Sequence, residues 1–213
     1  MEIAVLGLGR FGSQLARTLA QEGHDVLAID REERIVQALA HEVTKAVMLD
    51  ITDAEAMEEV GVGHVEVGVI ATTNVEASVL ATLNLQSLSV PTIHAKAANQ
   101  RHALILQRLG VQRVVIPEQA GGERFSHLIR MPGIGDYLPL TQGYGVGVYT
   151  PPADWVGQSL ERVSSSEGGT RRLLMVVRGE AVQLNPVRSQ EIEAGDRLVF
   201  AGSDDDLRRL MME

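Results

Sequence analysis

Apolar positions along this chain fall into short unbroken runs separated by stretches with helical spacing. Ile3 to Leu6 is the first run and Val26 to Ile29 the second. Between them Leu15 and Leu19, with Ala16 and Ala20 beside them, mark one helix face that stops at Gly23. The alternation then repeats. Ile35, Val36, Leu39 and Ala40 mark a second helix, and Val43 to Leu49 a third strand. Ala56, Met57 and Val60 lie on a helix capped by Asp53, followed by a fourth strand, Val65 to Ala71. A helix from about Val75 to Leu88 precedes a fifth strand, Thr92 to Ala95. A helix from Gln100 to Leu109, closed by Gly110, precedes a sixth, Val111 to Ile116. Six strands alternating with helices predict a doubly wound, Rossmann-like parallel sheet in the order 3-2-1-4-5-6, in an α/β class of fold.

Beyond residue 118 the pattern changes. Residues 119–140 read as a connector, helical over Glu123 to Met131 and stopped by Pro132-Gly133-Ile134-Gly135. Gly143 to Tyr149 alternates small and larger residues like a strand, and Pro151-Pro152 breaks it. Val156 to Val163 reads as a short helix and residues 164–169 as a loop. Arg172 to Arg178 and Ala181 to Leu184 form a hairpin across Gly179-Glu180. Arg197 to Ala201 is a last strand, and Asp204 caps a helix from Asp205 to Met212. The expected organisation is an α/β domain over residues 1–118, a helical connector over 119–140 and a small α+β domain over 141–213.

The chemistry is concentrated where the first strand ends. Gly7-Leu8-Gly9-Arg10-Phe11-Gly12 is a G-x-G-x-x-G between a strand and a helix, and Asp30 ends the next strand 18 residues past Gly12. Gly7 suits the tight turn, Gly9 lets a pyrophosphate reach the backbone, and Gly12 lets the helix lie close to the strands. Phosphates then meet the N–H groups and positive dipole of the helix, while Asp30 accepts from ribose hydroxyls. Further polar residues follow the other strands: Asp50, Thr72-Thr73-Asn74, Lys96 and Glu118. In open parallel sheets ligands bind at this carboxyl rim. A plain packing turn, with loops that are polar because they are loops, accounts for single residues more readily than for the series.

Each of these residues has an expected part. The Arg10 guanidinium beside the phosphates favours an extra negative charge such as a γ-phosphate, pointing to ATP or ADP ahead of NAD(H). Arg31 lies over the adenine or on the helix surface. Asp50 accepts from the adenine amino group or caps a turn. Lys96, one of two lysines against 17 arginines, reaches a phosphate. Glu118 is a hard oxygen ligand, but one carboxylate cannot hold Mg²⁺ or Ca²⁺ alone.

Composition narrows the classes. The 213 residues carry a net charge of −9 with 3% aromatic residues, which argues against a nucleic-acid surface. No acidic tail or basic arm is present, and no cysteine, which excludes disulfides and thiolate metal sites. The N-terminus is already a strand, so no signal peptide is expected, and no apolar run approaches the roughly 18–20 residues of a membrane span. The six histidines show no metal-ligand spacing. An NAD(H)-dependent oxidoreductase or redox sensor is the alternative on this fold, but the second domain offers no acid–base constellation at recognisable spacing. A DNA-binding regulator lacks a helix-turn-helix and has the wrong charge.

Several of these segments recur together in one family. The opening GLGRFG, Asp30, Asp50 before Thr52, His94-Ala95-Lys96-Ala97 and Val115-Ile116-Pro117-Glu118 match, as do Gly157-Gln158-Ser159-Leu160 and the stretch from Asn185-Pro186 to Leu198. In these the chain resembles the cytosolic regulatory subunits of Trk/Ktr-type potassium-uptake systems, the RCK or KTN proteins, over nearly its whole length. The resemblance implies a non-enzymatic gating ring, commonly an octamer assembled from dimers. It is cytoplasmic and docks under a membrane-embedded potassium transporter subunit. ATP and ADP have opposite effects in this family, and some relatives bind NAD or NADH. Glu118 then matches an intersubunit divalent-cation position, and Ile51 joins the nucleotide-binding set beside Asp50. The family pattern there is Gly-Asp-Ala-Thr, where this chain has Leu49-Asp50-Ile51-Thr52. Some relatives bind cyclic di-AMP near an Asn-Pro like Asn185-Pro186, although Leu184 stands where some of those binders have a histidine. The alternative for this domain is a dimerisation module.

Overall fold

The computed structural model describes residues 1–131, 133–164 and 169–210, in two compact units, Met1–Pro117 and Glu118–Glu213. In the first unit, β1 (Glu2–Leu6), β2 (Asp25–Asp30), β3 (Lys45–Met48), β4 (Val67–Ile70), β5 (Thr92–Lys96) and β6 (Arg113–Val115) form one parallel sheet. Its order is β3-β2-β1-β4-β5-β6, as the sequence predicts. The helices are α1 (Arg10–Gln21), α2 (Glu33–Leu39), α3 (Ala54–Glu59), α4 (Val75–Ser87) and α5 (Gln100–Arg108).

Period-two geometry sorts the apolar runs into two cores. Ile3, Val5, Val26 and Ala28 share one with Ala16, Val36 and Leu39 of α1 and α2. Ala4, Leu6, Leu27, Ile29 and Ile70 share the other with Met57, Ala81, Leu85 and Leu106 of α3, α4 and α5. A strand buried on both faces has no polar positions to alternate, which is why β1 and β2 read as unbroken apolar runs. Their carboxyl ends share one rim because all six strands run the same way.

The second unit holds α6 (Pro117–Arg130, begun at the last residue of the first unit), β7 (Ile134–Thr141), β8 (Tyr144–Tyr149), α7 (Glu161–Ser164), β9 (Arg172–Arg178), β10 (Ala181–Leu184), β11 (Arg197–Ser203) and α8 (Asp204–Arg209). Its sheet is antiparallel, in the order β10-β9-β11-β8-β7. Tyr149, Trp155, Val176, Leu198, Phe200 and Leu207 form its core. The Asp196 carboxylate, fully buried, receives the Arg178 guanidinium through both oxygens at 2.8 and 2.9 Å. That bond, with the Glu193 N–H, holds its pKa below the usual carboxylate value against the opposing effect of burial.

Several sequence expectations are corrected here. The helix expected from Glu123 begins at Pro117. Proline suits a first helical position, and the Gly121-Gly122 pair had hidden the two turns before Glu123. What reads as the rest of the connector contains β7, an edge strand that tolerates Pro139 and has register shifts on either side of its centre. Val156 to Val163 is not one helix. A 3₁₀ turn covers Ala153–Trp155, Gly157 has φ +83°, Ser159 bridges to Glu191, and α7 supplies only the end. Ser203, not Asp204, caps α8, its hydroxyl accepting from the Asp206 N–H at 3.2 Å, while Asp204 accepts from the Tyr137 hydroxyl. Pro132, the centre of the expected 164–169 loop, and the expected helix end at Met212 lie outside the described residues.

Candidate nucleotide site

Gly7 leaves β1 with φ +93°, and a Cβ there would meet the Thr72 nitrogen at 3.2 Å. Only glycine takes this turn without strain. A Cβ on Gly12 would lie 1.9 Å from the Gly7 carbonyl oxygen and 3.0 Å from the Ala71 Cβ, so α1 approaches the turn at backbone distance. Gly9 is different: nothing lies within 4 Å of the place its Cβ would take. Its bareness faces open space, where a ligand can come up to the main chain.

Gly9 is also the N-cap of α1 and has no side chain with which to cap it. The first N–H groups of a helix lack partners inside it. Among the described residues the N–H groups of Gly9, Arg10, Phe11 and Gly12 find no acceptor in turns or side chains. By contrast α3, α4, α5 and α8 are capped by Asp53, Asn74, Asn99 and Ser203. The turn is braced from below: the Ser13 hydroxyl donates to the Leu8 carbonyl at 2.5 Å, and Gly7 N–H donates to Ile29 at 2.8 Å.

Asp30 takes part in that bracing. Its Oδ2 accepts from the Leu8 N–H at 2.6 Å and its Oδ1 from the Glu32 N–H at 2.9 Å. A carboxylate oxygen accepts more than one bond, so Asp30 holds the turn while keeping acceptor capacity for a ribose hydroxyl. Asp50 Oδ1 accepts from both the N–H and the hydroxyl of Thr52, at 2.9 and 2.8 Å. These bonds lower its pKa, with a smaller contribution from the nearby Arg31 charge, so a fixed carboxylate stands at the end of β3.

The remaining predicted residues differ in what they leave exposed. Thr72 Oγ1 accepts from the Asn74 N–H at 3.2 Å, and Asn74 Oδ1 accepts from the Ala77 N–H at 2.9 Å, so both shape the start of α4, with Thr73 exposed between them. Ile51 is buried in the α4-side core, its carbonyl accepting from the Asn84 amide at 3.2 Å. Lys96 Nζ lies 5.7 Å from the centre of the Phe11 ring, a cation–π contact that ties the end of β5 to the glycine turn. Phe11 is therefore a positioning ring as well as a motif residue. Glu118 lies in the first turn of α6, in the second unit. Among the described residues no three His, Asp or Glu side chains cluster as a metal site.

One buried joint was not visible in the sequence. The Ala98 N–H donates to His102 Nδ1 at 3.2 Å, which puts the ring proton on Nε2, 2.6 Å from the Ser78 hydroxyl. Ser78 in turn donates to the Val75 carbonyl at 2.8 Å. Burial lowers the His102 pKa, so the ring is neutral and joins the loop after Lys96 to the first turn of α4. Only its place three residues after the Asn99 cap could have signalled it.

A parallel sheet whose first helix starts bare on glycine, with an acid at the next strand end, defines a Rossmann domain of the nucleotide-binding class. The TrkA-N domain pattern matches residues 3–117, and the chain belongs to that family. It is 31% identical over 209 residues to the Ktr system potassium uptake protein C of Bacillus subtilis, covering 98% of this chain and 95% of that protein. In three dimensions it is similar to the crystal structure of the GsuK RCK domain, with TM-score 0.67 at 18% identity over 100% of this chain. The GsuK channel bound to NAD gives TM-score 0.64 at 18% identity over 98% of this chain. At that identity the likeness speaks to the fold, and this chain spans 48% and 38% of the two GsuK chains. No helix among the described residues is long and apolar enough to cross a membrane.

Proposed function

We propose that this chain is a nucleotide-responsive regulatory subunit of a potassium-uptake system, and not an enzyme. The observation that carries the reading is the uncapped start of α1, braced by Asp30, in a chain related end to end to a Ktr potassium uptake protein. The nucleotide's phosphates lie on the N–H groups of Gly9 to Gly12, its ribose at Asp30 and its adenine between Arg31 and Asp50. Residues 1–118 carry this site and residues 141–213 serve assembly. Copies assemble through dimers into a ring under a membrane-embedded partner, at the cytoplasmic face. A divalent cation, Mg²⁺ or Ca²⁺, joins at Glu118 when two copies and phosphate oxygens complete its shell. A cyclic di-AMP site near Asn185-Pro186 has no observation in its favour beyond that dipeptide.

ATP and ADP are the favoured pair because Arg10 is exposed beside the helix start and has no protein partner among the described residues. The NAD-bound GsuK channel supports NAD(H) as the second reading. A ligand moves the assembly only by its difference in affinity for two shapes. Calorimetry with ATP, ADP and NADH on wild type and Arg10→Ala tests this. ATP is expected to bind wild type about tenfold tighter than ADP, and Arg10→Ala to lose that difference. Equal discrimination by Arg10→Ala would sink the ATP/ADP account, and binding of NADH alone would favour the second reading.

A further inference from the structure

The loops after β4 and β5 meet through one side chain. The His102 ring, 1% exposed, accepts the Ala98 N–H at Nδ1 (3.2 Å) and places Nε2 2.6 Å from the Ser78 hydroxyl. Ser78 is tied in turn to the start of α4: its hydroxyl donates to the Val75 carbonyl at 2.8 Å and its N–H to the Asn74 carbonyl at 3.0 Å. On the other side, the loop of Ala98 begins at Lys96, whose Nζ lies 5.7 Å from the centre of the Phe11 ring in the glycine turn. A neutral imidazole with its proton on Nε2 satisfies each group in this series from Ala98 to Val75.

A second proton has no acceptor there. On Nδ1 it faces the Ala98 N–H, donor against donor. The ring belongs to the first turn of α5 and lies against the first turn of α4, where two helix dipoles present their positive ends. The elements around it bring Glu76 on α4, His94 and Lys96 on β5, Arg101 and Arg108 on α5 and Arg113 on β6. None of these bonds to the ring, and burial alone holds the imidazole below its ordinary pKa. Protonation is therefore tied to opening, in which the ring or the Ala98 loop moves toward water. The opening is bounded, because the neighbouring Ala97 N–H donates to the Val115 carbonyl at 2.8 Å and belongs to the sheet.

We propose that His102 is an acid-sensitive clasp between these two rim loops. In mild acid its ring takes a second proton from solvent and releases the Ala98 N–H. The loop that carries Lys96 then parts from the start of α4, and the hold on nucleotide loosens. This last step rests on the nucleotide site proposed above.

Residue-resolved hydrogen exchange on the full chain, between about pH 7.5 and about pH 5, tests the clasp once rates are corrected for their intrinsic dependence on pH. Ala98 is expected to exchange about tenfold faster in acid while Ala97 keeps its protection. His102→Gln supplies an uncharged acceptor and donor in place of the two ring nitrogens, so Ala98 in that variant does not respond to acid. ADP affinity, by calorimetry at the same two pH values, is expected to fall about fivefold more in wild type than in His102→Gln. Titration of the nucleotide itself cancels in that comparison. Unchanged Ala98 protection in acid, or Ala97 opening together with Ala98, overturns the clasp from wild-type data, whether or not the variant folds. An acid response of Ala98 that survives in His102→Gln overturns it as well. Equal losses of ADP affinity in the two proteins overturn the coupling to nucleotide. Failure of wild type to bind ADP at neutral pH overturns the nucleotide site, while the Ala98 result stands apart from it.

Discussion

The starts of α1 and α5 follow equivalent strands of one sheet and are finished in opposite ways. At α5 the cap is supplied by the chain itself: Asn99 caps the His102 N–H at 3.0 Å, and the His102 ring takes the Ala98 N–H and meets Ser78. At α1 the cap is glycine, and among the described residues the N–H groups of Gly9 to Gly12 lack acceptors in turns or side chains and the Arg10 guanidinium has no ion pair. A helix end completed by its own residues contributes stability and no binding. One left incomplete contributes little stability and waits for an anion. The contrast supports the start of α1 as the candidate site more strongly than the glycine motif does.

The largest effect should come from forcing a side chain into the packing that holds α1 in place. Gly12→Ala puts a methyl 1.9 Å from the Gly7 carbonyl oxygen, a backbone atom that cannot swing aside. We expect a loss of about 3 kcal/mol or more in urea unfolding and no measurable ADP binding by the surviving folded protein. Near-normal stability would mean that α1 can shift, and that the bare helix start is not rigidly placed.

The completed end at α5 breaks differently. His102→Leu keeps the volume but leaves Ser78 and the Ala98 N–H without the ring, at a cost of about 2 kcal/mol. The neutral ring also carries a pH signature. Because the folded-state pKa lies below the usual 6.5, the folded protein binds fewer protons than the unfolded chain in that window. The stabilisation is complete above pH 6.5 and is lost as pH falls through the folded pKa. Urea midpoints of wild type and His102→Leu, measured on both sides of that value, should therefore converge in acid. Parallel lines would place the ring's proton elsewhere.

The physical reasons for these differences also set what the sequence reveals. Strand order in the first unit was legible because β1 and β2 are buried on both faces and because each strand is followed by a polar rim residue. The part of Gly12 was legible because its constraint is local, a helix meeting a turn five residues earlier. Asp30's grip on Leu8 was not, since an acid that receives ribose and one that braces a loop have the same spacing. Nor was the His102–Ser78 joint, which depends on two helices meeting 24 residues apart. In the second unit β7 escaped because bulges interrupt its alternation and Pro139 argues against a strand that only an edge position permits.

The smallest change in stability should accompany the sharpest test of the contrast. Gly9 has φ −60° and ψ −174°, a conformation any residue adopts, and open space where a side chain would go. Gly9→Ser therefore folds normally, and its hydroxyl becomes the cap that α1 lacks, accepting from the N–H of residue 11 or 12. Serine in place of glycine at an N-cap is worth only a few tenths of a kcal/mol, so the urea midpoint should rise slightly or stay where it is. Nucleotide affinity should fall steeply, by about tenfold or more, because the hydroxyl fills the approach and uses a donor meant for phosphate oxygen. Stability and binding move in opposite directions only if the helix start is kept incomplete for a ligand. If Gly9→Ser binds ADP like wild type, phosphates do not lie on α1, and the glycine turn serves packing alone.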